Sequence, residues 1–227
     1  TIFLTIIVAA CRKTTRMSFQ DILDALVDGA KQSLAVMAAC ALVGIIIGVV
    51  SLTSFGTVMT SSIMSIGAGS LFLTLFFTMI ASMILGMGLP SIPAYIITAT
   101  MAAPALANFD IPTLVAHMFV FYFGLFANIT PPVALAAFAG AGIAGGDPMR
   151  TGFQALKLSL AGFIVPFLFV YNPAMLMIDT TSVAVNAREF ALPAWSTVIS
   201  ISLTSIIGIL ALGAAVEGYF KTELNWF

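Results

Sequence analysis

The sequence predicts an all-α integral membrane protein with a re-entrant helical hairpin and a discontinuous transmembrane helix. Hydrophobic residues make up 61% of the 227 residues and charged ones 7%, against roughly 45–50% and 25% in soluble domains. From Gln32 to Phe109 there is no Asp, Glu, Lys or Arg. Such a stretch belongs in lipid, where every backbone N–H and C=O must find its partner inside the protein. Two breaks nevertheless interrupt the apolar sequence, Gly86-Met-Gly-Leu-Pro-Ser-Ile-Pro93 and Asn128-Ile-Thr-Pro-Pro132, and paired interruptions of this kind mark binding sites in membrane transporters.

The first expected region, residues 1–53, holds the end of a scaffold helix, an interfacial amphipathic helix and a transmembrane helix. Residues 1–11 read as a helix tail followed by Arg12, Lys13 and Arg16. From Ser18 to Lys31, apolar Phe19, Ile22, Leu23, Leu26, Val27 and Ala30 recur at helical spacing opposite Asp21, Asp24, Asp28 and Lys31, which suits an interfacial connector capped by Ser18. Residues 34–52 are long enough to span. The second region, 54–146, begins with a turn and a short helix and then carries the hairpin, residues 71–107. Its arms of roughly 14 or 15 residues cover about 22 Å each, short of the roughly 30 Å core, so both ends should lie on one side.

Asp110-Ile-Pro-Thr113 is expected to start the broken helix, residues 113–144, with Asp110 as its cap. Gly145 and Gly146 end that helix, and Asp147-Pro148 begins the third region, 147–227, a connector followed by two transmembrane helices at 158–178 and 191–216. Trp195, Tyr219 and Trp226 suit interfacial belts. With the Arg12 end inside, seven of the eight basic residues fall inside and Arg188 alone outside, as the positive-inside rule asks. The chain begins in an apolar run without Met, and the expectation is a fragment cut at both ends. The net charge of −1 and the lack of a basic run exclude a nucleic-acid partner. Two cysteines, Cys11 and Cys40, make no disulfide framework.

A proline in a helix removes its own N–H and leaves the carbonyl four residues earlier without a donor. Pro90 and Pro93 would free the carbonyls of Gly86 and Leu89, and Pro131 and Pro132 those of Ala127 and Asn128. If the hairpin tip packs on the broken helix, these oxygens, the Thr130 hydroxyl and the Asn128 amide form a neutral oxygen set suited to Na⁺. Intramembrane proton relays use Asp, Glu or His. Between residues 32 and 146 only Asp110 and His117 qualify, both expected near the outer surface, so sodium is favoured over protons. The two helices that restart after the breaks point positive N-termini at the same region, which suits a carboxylate. Pro90 and Ser91, with Tyr95 and Thr98, are the residues expected to meet such a substrate.

Four segments, Gly86-Met-Gly-Leu-Pro-Ser-Ile-Pro-Ala-Tyr95, Ala102-Ala-Pro-Ala-Leu106, Ala116-His-Met-Phe-Val-Phe-Tyr122 and Asn128-Ile-Thr-Pro-Pro-Val-Ala-Leu-Ala136, resemble the large membrane subunit of tripartite ATP-independent periplasmic (TRAP) transporters. The form is closest to the fused permease of the TAXI branch, and the likeness is most specific over residues 84–173. It implies sodium-driven, elevator-type uptake of organic acids across the bacterial inner membrane, with a periplasmic substrate-binding protein and a small membrane subunit or its fused equivalent as partners. It also implies two inverted repeats, of which this chain matches the second, so the first repeat of the permease would be missing. The family's second sodium site maps onto Gly86, Met87 and Gly88 at the tip and onto the break from Asn128 through Thr130 to Pro131. The C4-dicarboxylate branch tends to have an acidic residue after the hairpin glycine. Here Leu89-Pro90 stands instead, and that branch's substrates do not carry over.

Enzymatic readings fail on their motifs. Pro104-Ala-Leu106 matches the short signature of intramembrane aspartyl proteases, but Gly-Gly-Asp147 follows it instead of preceding it and has no buried partner Asp. No Gly-x-Ser-x-Gly and no phosphate-binding glycine loop with lysine is present, which removes rhomboid-type proteases and primary pumps. An ion or solute channel with a carbonyl-lined constriction is the alternative.

Overall fold

The computed structural model describes residues 9, 18–178, 193–220 and 222–223; the expectations placed on Arg12, Lys13, Arg16, Arg188, Lys221 and Trp226 lie outside them. Two compact units divide the chain, residues 1–44 and 45–227. Helix α1, Phe19–Leu52, contributes to both. Its start is a capping arrangement, in which the Ser18 N–H donates to the Asp21 carboxylate at 2.7 Å and the Gln20 N–H to the Ser18 hydroxyl at 3.4 Å. The interfacial helix and the span expected as separate elements are one helix here. The sequence changes polarity near residue 32, but Lys31-Gln-Ser-Leu34 contains neither Gly nor Pro, so nothing stops the backbone bonding.

The remaining helices belong to the second unit. They are α2 (Phe55–Gly67), α3 (Leu71–Gly86), α4 (Ser91–Met101), α5 (Thr113–Phe126), α6 (Leu135–Ala144), α7 (Pro148–Ser159), α8 (Val165–Tyr171) and α9 (Trp195–Glu217). Short 3₁₀ turns link α4 to α5 (Ala103–Phe109) and α7 to α8 (Leu160–Ile164) and follow α8 (Pro173–Leu176). Tyr219–Phe220 pairs antiparallel with Thr222–Glu223, the one strand pairing among the described residues. Helix α2 bends 73° away from the end of α1, and the 3₁₀ turn after α4 bends 45° from it. The second bend falls where Pro104 enters the first turn and denies the helix a donor.

Helices α3 and α4 form the hairpin, and α5 runs beside both. Asp110, expected to cap α5, instead ends the preceding 3₁₀ turn in the left-handed region (φ 53°), and Pro112 takes the cap position. The fixed φ of Pro112 is already suited to entering a helix, so no side-chain cap is needed. Leu75, Leu106, Val115, Phe119 and Phe123 are wholly buried and form one core with Ala102 and Val120. Along α5, Phe119, Tyr122, Phe123 and Phe126 meet Phe163, Phe167 and Phe169 with ring centroids 4.9–6.3 Å apart, mostly edge to face as the ring quadrupoles prefer.

By length and apolar character alone, residues Pro148–Tyr171 form one candidate span and Trp195–Glu217 another. The packing moves the first. Lys157 pairs with Glu217 at 3.5 Å, a Cβ built at Gly213 falls 3.8 Å from that of Ala161, and the Ser205 hydroxyl lies 3.6 Å from the Met175 sulfur. This antiparallel register sets residues 158–178 against α9, with the ion pair at one end and most of α7 beyond it. Asp147 caps α7 by accepting from the Arg150 N–H at 2.7 Å, and Gly145 ends α6 with φ +68°. Because 3.8 Å is the usual Cβ separation of a disulfide, Ala161→Cys with Gly213→Cys should cross-link on oxidation. Ala161→Cys with Ile207→Cys should not, and gel mobility reads the difference.

Candidate functional site

The hairpin tip sits on α5 with backbone against backbone. A Cβ added to Gly86 would fall 2.5 Å from the Gly124 carbonyl oxygen and 2.9 Å from the Gly124 Cα, closer than any side chain allows. From the second arm, Thr98 touches the same glycine, 3.5 Å from a Cβ built there. Gly88 then turns the chain with φ +75°, a conformation that Gly adopts without strain, and a Cβ built on it would fall 3.7 Å from the Val133 side chain. The tip and the break, 38 positions apart in the numbering of Gly86 and Gly124, are therefore one locality. Helix α7 backs the break from below, where a Cβ at Gly152 would meet the Pro131 ring at 3.2 Å and Phe138 at 3.1 Å.

Of the four carbonyls expected to be free, two are not. The Leu89 N–H donates to the Gly86 carbonyl at 3.3 Å, and the Ala136 N–H donates to the Asn128 carbonyl at 2.9 Å. The chain after the break curls back, so a donor eight residues on replaces the one Pro132 lacks. The carbonyls of Leu89 and Ala127 accept no hydrogen bond among the described residues. Ala127 is 0% exposed, and a buried carbonyl without a donor costs about 1–3 kcal/mol. The Thr130 hydroxyl donates to the Phe126 carbonyl at 2.8 Å, which orients its lone pairs away from the α5 backbone. Asn128 is half-buried, and its side-chain amide has no partner among the described residues. The Pro131–Pro132 bond is cis.

The residues expected to meet an acidic substrate fare unevenly. Pro90 and Ser91 are exposed at the start of α4, Pro90 as its cap residue. Tyr95 is committed elsewhere, its hydroxyl 3.0 Å from His117 Nδ1 and its ring edge-on to Phe121. Thr98 donates to the carbonyls of Ala94 and Tyr95 at 2.9 and 3.1 Å and is fully buried. The Tyr95 hydroxyl thus joins α4 to α5, while the Thr98 hydroxyl is held within α4 and its side chain packs on Gly124. His117 joins the two helices and does not stand alone at a surface. No group of three or more His, Cys, Asp or Glu that could hold a metal ion occurs among the described residues.

Residues 1–183 match the family model described as the tripartite ATP-independent periplasmic transporter, DctM component. The chain belongs to the DctM family. It is a multi-pass membrane permease subunit of a TRAP-type secondary transporter, and a transporter component in place of an enzyme. No curated protein and no solved structure matches it. Helix α9 lies beyond the matched residues.

Gly124 and Gly152 escaped the sequence reading. The available signal was a lone small residue in Phe119–Phe126, a run otherwise made of bulky side chains, which is how a close helix approach reads in a membrane protein. In this DctM subunit Gly86→Ala should cost about 1–3 kcal/mol by overpacking. Gly124→Ala adds a methyl at ordinary contact distance from Thr98 and should cost much less. Thermal unfolding of the full-length permease in detergent ranks the two.

Proposed function

We propose that the chain is the second-repeat portion of a TAXI-type fused permease that imports small organic acids by sodium symport across the bacterial inner membrane, moving its hairpin and broken helix elevator-fashion. The observation that carries this reading is the buried, unpartnered Ala127 carbonyl beside a tip pressed onto Gly124. A protein keeps such an oxygen at a cost unless a ligand offsets it. Na⁺ is a hard cation that takes neutral oxygens, and the carbonyls of Ala127 and Leu89, the Thr130 hydroxyl and the Asn128 amide supply them. Gly86, Met87 and Gly88 hold the tip against that set. Pro131 removes the donor that would otherwise occupy the Ala127 carbonyl.

Two helices begin at the breaks, α4 after Pro90 and α6 after Ala134, and their N-terminal dipoles favour a carboxylate. Pro90 and Ser91 are the exposed groups at that end. Tyr95 and Thr98 would reach a substrate only after leaving their present partners, so in the closed hairpin they hold α4 on α5. A sodium ion bound between tip and break would lock the hairpin before the domain moves, which couples ion to substrate. The periplasmic binding protein that delivers substrate, the small membrane subunit and the first repeat would complete the machine. A channel is the poorer reading, because the Gly86–Gly124 contact leaves no bore between tip and helix.

Thr130→Ala removes one ligand oxygen. Losing a buried polar partner costs about 1–3 kcal/mol, roughly 5- to 150-fold in affinity. The sodium concentration for half-maximal uptake should rise by that factor in Thr130→Ala and stay near wild type in Thr130→Ser. An unchanged sodium requirement together with loss of transport in His117→Ala would replace the ion by a proton.

A further inference from the structure

Helix α3 carries a line of small and hydroxyl side chains at four-residue spacing, Thr74, Thr78, Ser82 and Gly86, each buried. Four residues make slightly more than one turn, so the line climbs one face of the helix and ends at the tip contact. Apolar side chains flank it. Leu75, Met79 and Met83 pack in the core with Phe119 and Phe123, while Phe77 and Ala81 pack with Ile63 and Ala105. Thr74 donates to the Ser70 carbonyl at 3.0 Å.

Thr78 and Ser82 differ from the other helical threonines. Thr98, Thr100 and Thr204 turn their hydroxyls back onto carbonyls of their own helix at 2.9–3.0 Å, the usual refuge of a hydroxyl in an apolar setting. The hydroxyls of Thr78 and Ser82 are buried, at 0% exposure of either residue, and have no hydrogen-bond partner among the described residues. Valine and alanine would fill the same space without that penalty, since an unpaired buried polar group costs more than its apolar isostere. Two such groups one turn apart, directly below Gly86, form a polar step in an otherwise apolar interface.

We propose that Thr78 and Ser82 are a transit site for the coupling cation, a hydroxyl seam along α3 through which Na⁺ and accompanying water reach the tip and break. The proposal rests on the sodium reading above. Hydroxyl oxygens replace part of the ion's hydration, and with no charged residue between Gln32 and Phe109 the step holds the ion weakly, as passage requires. The seam is closed in this structure. It opens when α3 loosens from α5, and sodium at the tip closes it again.

The test uses the full-length permease freed of native cysteines, with Thr78→Cys, Ser82→Cys and, on the apolar core face of the same helix, Leu75→Cys, whose native residue is as fully buried. A small water-soluble methanethiosulfonate cation should label positions 78 and 82 in choline buffer and lose that labelling in sodium buffer, with position 75 inert in both. Inert positions 78 and 82 in both buffers, or equal labelling at 75, overturn the seam, and the sodium reading then stands or falls on Thr130→Ala alone. Labelling indifferent to sodium, in a protein whose uptake is also indifferent to Thr130→Ala, overturns the sodium reading and the seam with it. The isosteric pair Thr78→Val with Ser82→Ala gives a second readout. Uptake should slow at limiting sodium with equilibrium sodium affinity unchanged, and an unaltered rate contradicts the proposal.

Discussion

Backbone contact between Gly86 and Gly124 is the constraint on which the rest of the second unit depends. A single added carbon at Gly86 would lie 2.5 Å from the Gly124 oxygen, so the hairpin can seat only because Gly86 lacks a side chain. That seat brings Gly88 to Val133 and Thr98 to Gly124, and it leaves the aromatic face of α5 free to pack against the helices from residue 160 onward. Along α5, Gly124 receives the tip, while Phe119 and Phe123 pack both with Leu75 of the hairpin and with Phe167. In lipid, where apolar burial does not itself draw helices together, close packing of small residues and interhelical hydrogen bonds supply the attraction; Tyr95 with His117 is one such bond.

The electrostatics follow from that packing. Apolar sequence around both breaks keeps the dielectric low, and an oxygen without a donor is expensive there. The chain satisfies most of its broken backbone locally, through Leu89 to Gly86, Ala136 to Asn128 and Thr130 to Phe126. What remains is small and specific, the carbonyls of Ala127 and Leu89 and the amide of Asn128. Such a remainder suits one monovalent ion better than a large polar solute. With two helix N-termini nearby, it is the place where the proposed function joins cation and carboxylate.

Much of this was legible because Gly and Pro punctuate a run without charges. The hairpin turn at residues 87–90, the gap between Phe126 and Leu135, and the Asp147 cap all sit where glycine, proline or a capping residue dictates the backbone. The fates of individual oxygens were not legible. Proline shows which donor is missing, but whether another donor arrives depends on where the chain goes next, as Ala136 demonstrates. The bond between Tyr95 and His117 joins residues 22 apart and has no spacing signal. The change from amphipathic to apolar sequence near Gln32 looked like a boundary, yet polarity selects the solvent while propensity governs whether the helix continues.

In the proposed function, tip and break act as one sodium-responsive site. Hydrogen exchange of the full-length permease, followed by mass spectrometry with and without Na⁺, tests it most directly, since local opening of a segment falls when a ligand binds its closed form. Peptides covering residues 86–93 and 127–136 should gain protection together, at the same sodium concentration, while peptides from α9 do not change. Protection of only one segment, or of neither, would contradict the account.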